Sequence, residues 1–281
     1  MKKIFPKLIA GFISIVIISL LIFLGPAQAF ILKVSVSDNF NVIGEPITFT
    51  LSTEIQESEI LNIEFINLTL QGATPVSCSF LANGTKISPC PNVISIDKLS
   101  APNTTFGYGY GYTFNQGILK YLVVLNSSNF LPGEYNVYYT IITASSSLES
   151  PAEKIFIGNN FTLTESCSVR ADSGSISFLN NTFDEKNKLN FNLPLKEAKK
   201  GEGSLTAQDK RSRISYTFIM EKAVKLSKDK IVFKTSGLLR DDLKNPIPVK
   251  AILTMDKKIN KIDISGDIEA ESMYVTFTKG C

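Results

Sequence analysis

The sequence contains no histidine and no tryptophan, and only four cysteines and four methionines among its 281 residues. Without histidine, a serine or cysteine nucleophile has no imidazole in its own chain to take its proton, and histidine-ligated metal sites are excluded. No Cys-x-x-Cys pair occurs, which removes the usual thiolate metal spacing. Helical periodicity is missing after the first thirty residues, and no low-complexity block interrupts the chain. No cofactor is expected from this inventory. Carboxylate chemistry is what remains. Glu54, Glu57 and Glu59, the pair Asp241-Asp242, and Asp267, Glu269 and Glu271 are the acidic clusters. A glycosidase needs two carboxylates about 5–9.5 Å apart in a cleft. The last cluster has strand period, so its acids are expected to share one solvated face, and its spacing is not that of an EF-hand. The segment Glu197–Gly203 reads as a polar turn and not as a nucleotide loop. The chain is therefore expected not to be an enzyme.

What is present begins at the N-terminus. Lys2, Lys3 and Lys7 precede an apolar run from Leu8 to Leu24, and Pro26 and Ala27-Gln28-Ala29 follow. This is the pattern of a secretory signal over residues 1–29, with the mature chain starting at Phe30. An uncleaved anchor is the other reading, because the run is just short of the ~20 residues of a comfortable bilayer span. A pilin-type leader ranks below both. Either way the chain is expected outside the cytoplasm, secreted or at the cell surface. Four cysteines there read as disulfides. Spacing favours Cys78 with Cys90, closing a short loop, and Cys167 with Cys281, bracketing the second half.

Charge divides the chain. Residues 30–164 carry 5 basic and 10 acidic side chains, a net of −5, and residues 165–281 carry 21 and 16, a net of +5. The plain reading is two solvated domains, 30–164 and 165–281. The sharper one is that the basic half contacts an anionic surface such as lipid or acidic polysaccharide. Nucleic acid is not expected as a partner.

In the first half, short runs such as Ile31–Ser37, Gly44–Thr53, Asn62–Leu70, Val76–Leu81, Asn92–Ile96, Gly117–Asn126, Gly133–Ile142 and Glu153–Leu163 alternate apolar and polar residues between turn signals. In the second run Ile47, Phe49 and Leu51 share a face. Many short strands of this kind predict an all-β sandwich or barrel. The stretch Leu131–Val137 adds Leu131, Gly133 and Tyr135 at the spacing of a tyrosine corner. It resembles the E–F corner and F strand of extracellular immunoglobulin-like domains. That resemblance implies an immunoglobulin-like β-sandwich and a role in adhesion, spacing or assembly. Val137 stands where antibody-type domains have their second inter-sheet cysteine.

Between two of these runs lies Phe106–Gly117, "FGYGYGYTFNQG". No helix follows and no lysine lies inside, so a phosphate cradle is excluded. As one strand, Phe106, Tyr108, Tyr110 and Tyr112 would line one face opposite Gly107, Gly109 and Gly111. The row could bind a sugar or a protein partner, or could cover an open edge of the core; the structural use is the one adopted. Six Asn-x-Ser/Thr sequons, at Asn67, Asn83, Asn103, Asn126, Asn160 and Asn180, are candidate glycosylation sites.

The second half shows eight strand candidates joined by short polar links, which predicts a closed antiparallel meander, barrel or sandwich. A bond between Cys167 and Cys281 would bring the first and last strands together. This half resembles modules of secreted archaeal proteins. Two functions follow: a non-enzymatic exported protein of cell-surface structure, adhesion or assembly with an unknown protein or polysaccharide partner, or a carrier holding a lipid or other apolar ligand in the second domain. Lipocalin-like carriers show a Gly-x-Trp near the first strand, and that support is missing here.

Overall fold

The computed structural model describes residues 30–281 apart from 58–59, 88–89, 103, 107–111, 115, 162–166, 179–180, 184–187, 194–201, 209–212, 242–245, 268 and 278–281. The described residues contain strands and turns and no helix. In chain order the first half holds β1 (Phe30–Val36), β2 (Phe40–Val42), β3 (Pro46–Ile55), β4 (Leu61–Ile63), β5 (Phe65–Gln71), β6 (Val76–Phe80), β7 (Val93–Ser100), β8 (Thr104–Phe106), β9 (Tyr112–Phe114), β10 (Gly117–Asn126), β11 (Gly133–Ile142), β12 (Ser147–Glu149) and β13 (Glu153–Asn160). The second half holds β14 (Cys167–Phe178), β15 (Asn181–Phe183), β16 (Lys188–Leu193), β17 (Glu202–Gln208), β18 (Arg213–Lys225), β19 (Lys230–Asp241), β20 (Ile247–Asp256), β21 (Lys261–Gly266) and β22 (Glu269–Phe277).

Two sheets face each other in the first half. One runs β1-β3-β10-β7, all antiparallel. The other runs β6-β5-β11-β13, with β12 on β11 and β2 parallel to β13. Alternation drives the assembly. In β3 the residues Ile47, Phe49 and Leu51 are fully buried, and from the opposing sheet Leu68, Leu70, Val137 and Ile141 bury equally well. Each such side chain contributes about 1.5–3 kcal/mol of transfer free energy. Polar groups that cross this core are satisfied: Thr53 Oγ1 and the Tyr139 hydroxyl lie 2.6 Å apart, and the Tyr121 hydroxyl donates to the Ala82 carbonyl at 2.6 Å. Burial pushes the Tyr139 phenol well above its ordinary pKa, with the Thr53 hydrogen bond a smaller opposing effect.

The expected single strand over Asn62–Leu70 is broken at Glu64, whose N–H donates to the Ile142 carbonyl at 2.9 Å. The piece before the break, β4, joins β9 and β8 in a small third sheet. β2, β12 and this third sheet were not anticipated, because three-residue strands carry no periodicity to read.

The second half is a meander of consecutive antiparallel hairpins, β14 to β16, β17, β18, β19, β20, β21 and β22. β22 then pairs with β14, Phe277 opposite Val169, so the circuit of pairings returns to its start. The first and last strands meet, as expected, and they do so through backbone hydrogen bonds. On the described wall Tyr216, Phe233, Thr235, Leu253, Met255 and Ile262 are buried. Thr235 donates to the Ala251 carbonyl at 2.8 Å and accepts from the Tyr216 hydroxyl at 3.1 Å.

The two halves share a strand. Asn159 and Asn160 of β13 pair with Lys225 and Val224 of β18, which extends the sandwich sheet into the ring. Gly158 makes this contact possible: a Cβ there would lie 2.6 Å from the Lys225 carbonyl oxygen. Phe40, Phe156, Val224, Leu226 and Val232 form an apolar cluster across the seam, the two phenyl rings 5.1 Å apart.

Candidate functional site

The tyrosine corner is present as the spacing predicts. The Tyr135 ring is fully buried, and its hydroxyl donates to the Leu131 carbonyl at 2.6 Å. The same oxygen accepts the Thr74 N–H at 3.1 Å. Phe130 packs edge-on against the ring at 5.5 Å. This corner fixes the entry of β11 and is a structural device.

The aromatic run differs from expectation. β8 and β9 pair antiparallel with Phe106 opposite Tyr112, so the chain reverses between them and 106–112 is not one strand. Phe106 and Tyr112 are therefore brought together, while Tyr108 and Tyr110 lie outside the described residues. The hairpin rests on β4 through Tyr112 opposite Ile63. β4 follows the end of β3 that pairs with Phe30, whereas the opposite end of β3 adjoins the seam with the ring. The hairpin thus sits at the end of the sandwich away from the second half.

Cys78 and Cys90 are joined in a disulfide, as expected. Cys167 opens β14 opposite Leu193, and Cys281 lies outside the described residues. The sequons divide by environment. Asn83, in a turn, and Asn126, at the end of β10, are exposed, and each side-chain oxygen accepts the N–H of the residue two positions on. Asn67 is half-buried in β5 and accepts the Ser79 hydroxyl at 2.6 Å, while Asn160 belongs to the shared strand. Asn103 and Asn180 lie outside the described residues.

The acidic clusters are not gathered as strand period suggested. Asp267 follows the end of β21 and Glu269 opens β22, so the three acids do not lie on one strand. The Asp267 carboxylate instead accepts the Lys250 N–H at 2.8 Å. Glu54 lies in β3 with Glu57 in the following turn, and Glu59 and Asp242 are outside the described residues. Among the described residues no group of three acidic or cysteine side chains converges as a metal site.

The feature that sequence reasoning missed is the seam. Lys222 reaches Asp38 at 3.2 Å and Glu45 at 3.3 Å, Lys234 reaches Asp38 at 3.4 Å, and Lys230 reaches Glu134 at 2.8 Å. Four of the six ion pairs among the described residues cross between the halves. The acidic first half and basic second half are therefore complementary to one another. Burial raises the Asp38 pKa, but the Phe40 N–H and the two lysines outweigh it and hold the carboxyl below its ordinary value. The signal was in the charge split; what hid it was the separation of 184 residues between Asp38 and Lys222.

The fold thus defines an all-β protein of two joined antiparallel modules. No family model matches the sequence, and no curated protein matches it. Among solved structures the chain is similar to the sporulation control protein Spo0M from Bacillus subtilis, at 9% identity over 80% of this chain and 90% of that one, with a TM-score of 0.30. It is also similar to the collagen adhesin CNA from S. aureus, at 8% identity over 88% and 97%, TM-score 0.16. A family 123 glycoside hydrolase from Clostridium perfringens matches at 14% identity and TM-score 0.26; the aligned part is 48% of this chain and 28% of the hydrolase. Likeness at this level carries no functional argument.

Proposed function

We propose that this is a non-enzymatic exported protein, secreted or held at the cell surface, that serves in surface structure, adhesion or assembly. The observation that carries the reading is the seam. A shared strand, an apolar cluster and four ion pairs fix the two modules against each other. Such an arrangement suits a protein that presents its ends to other molecules at a set distance. The Cys78–Cys90 disulfide agrees with an oxidising compartment. The partner is a protein or polysaccharide that meets the Phe106–Tyr112 hairpin at the far end. Replacing Tyr108, Tyr110 and Tyr112 by Ser tests this: lost cell or partner binding with unchanged thermal melting assigns the row to recognition, and unfolding assigns it to the edge of the core. Unfolding of that variant, or unaltered binding, would remove the hairpin from the reading.

The second reading is an extracytoplasmic carrier. It is favoured by the eight-strand circuit, since a ring of that size can hold one small ligand. On the described wall Tyr216, Phe233 and Met255 are buried, which favours the surface role. Native mass spectrometry decides between them: a stoichiometric co-purified lipid selects the carrier.

A further inference from the structure

Four lysines whose side chains make none of the seam's ion pairs lie at one end of the ring. There the turn joining β18 to β19 and the turn joining β20 to β21 stand side by side, tied by a 2.9 Å hydrogen bond from the Lys257 N–H to the Asp229 carbonyl. Lys225, Lys228, Lys257 and Lys258 come from these turns and their edges. None of the four takes part in an ion pair among the described residues. Their neighbours Lys230 and Lys261 are neutralised by Glu134 and Asp263. Burial depresses the Lys257 pKa, the charge of Lys225 depresses it further, and Asp229 offsets part of this. Holding like charges together costs free energy that a bound anion would relieve.

Among these lysines Ile259 is 53% exposed, at the crest of a turn whose next residue, Asn260, has φ 52°. A dissolved polyanion offers nothing to that aliphatic group. A lipid surface offers both phases, phosphate for the ammonium groups and the acyl boundary for the isoleucine. We propose that the paired turns are a docking surface for anionic lipid headgroups, with Ile259 as the apolar insert. This goes beyond the surface role above, and its test in vitro does not depend on export.

The test is co-sedimentation of the chain from Phe30 onward with phosphatidylcholine vesicles, with and without about one third phosphatidylglycerol. Each lysine near such a surface is worth about 1 kcal/mol. Charge reversal in Lys257→Glu/Lys258→Glu is therefore expected to lower partitioning onto anionic vesicles by at least about tenfold. Ile259→Ser is expected to lower it by roughly tenfold. Lys33→Glu, on an exposed position of β1, is expected to leave it unchanged. Added salt is expected to weaken binding. Equal binding to both vesicle types, or variants that bind like the parent, would overturn the proposal. So would retention on acidic polysaccharide beads with no vesicle binding.

Discussion

At the residue scale, single groups carry measurable consequences. The Tyr135 hydroxyl bonds both Leu131 and Thr74, so Tyr135→Phe strands one acceptor and one donor. The expected loss is about 1–3 kcal/mol in urea unfolding, with the fold retained. Asp38 gives a pH signature. Its folded pKa is depressed, so the stability it contributes is present above its unfolded value and is lost as pH falls through the folded one. Asp38→Asn is thus expected to destabilise the chain at pH 7 and to cost progressively less below about pH 4, near the reference carboxylate value. Denaturation series at several pH values measure this, and a gap between the two proteins that stays constant down to low pH would contradict it. Tyr135 was legible from sequence because its partner lies four residues away. Asp38 was not, because its partners lie in another module.

At the element scale, the long alternating runs of β3, β10 and β11 were legible and very short strands were not. β3, β10 and β11 each show one buried residue in two, so pattern and structure coincide. β2 is three residues long and parallel to β13, with nothing local to announce it. The aromatic run alternates perfectly, yet its two ends, β8 and β9, pair with each other. The Cys78–Cys90 loop spans 12 residues of separation. By loop entropy a closure of that size contributes about 3 kcal/mol, so reduction is expected to lower the midpoint of thermal unfolding by several degrees. Calorimetry with and without reductant measures it.

At the scale of the whole molecule, the all-strand class was legible, and the contact between the halves was not. Composition showed opposite charge in the halves, yet whether those charges face outward or each other depends on tertiary position. Gly158 tests the contact. Gly158→Ala is expected to push the Lys225 carbonyl away, cost about 1–3 kcal/mol and loosen the seam. Small-angle scattering would then show a broader distribution of intermodule distances, and an unchanged profile would speak against the close approach. The meeting of β14 with β22 also bears on Cys167 and Cys281. Peptide mapping without reductant is expected to recover them as one crosslinked pair.

The shared strand has a mechanical consequence. Only Asn159 and Asn160 of β13 are laddered to β18, whereas β18 and β19 within the ring and β3 and β10 within the sandwich pair over ten or more residues. Under tension applied to the two ends of the chain, this short zip is the weakest ladder in the load path. A force–extension trace should therefore open with a small, reversible parting of the two bodies, well before either one unravels.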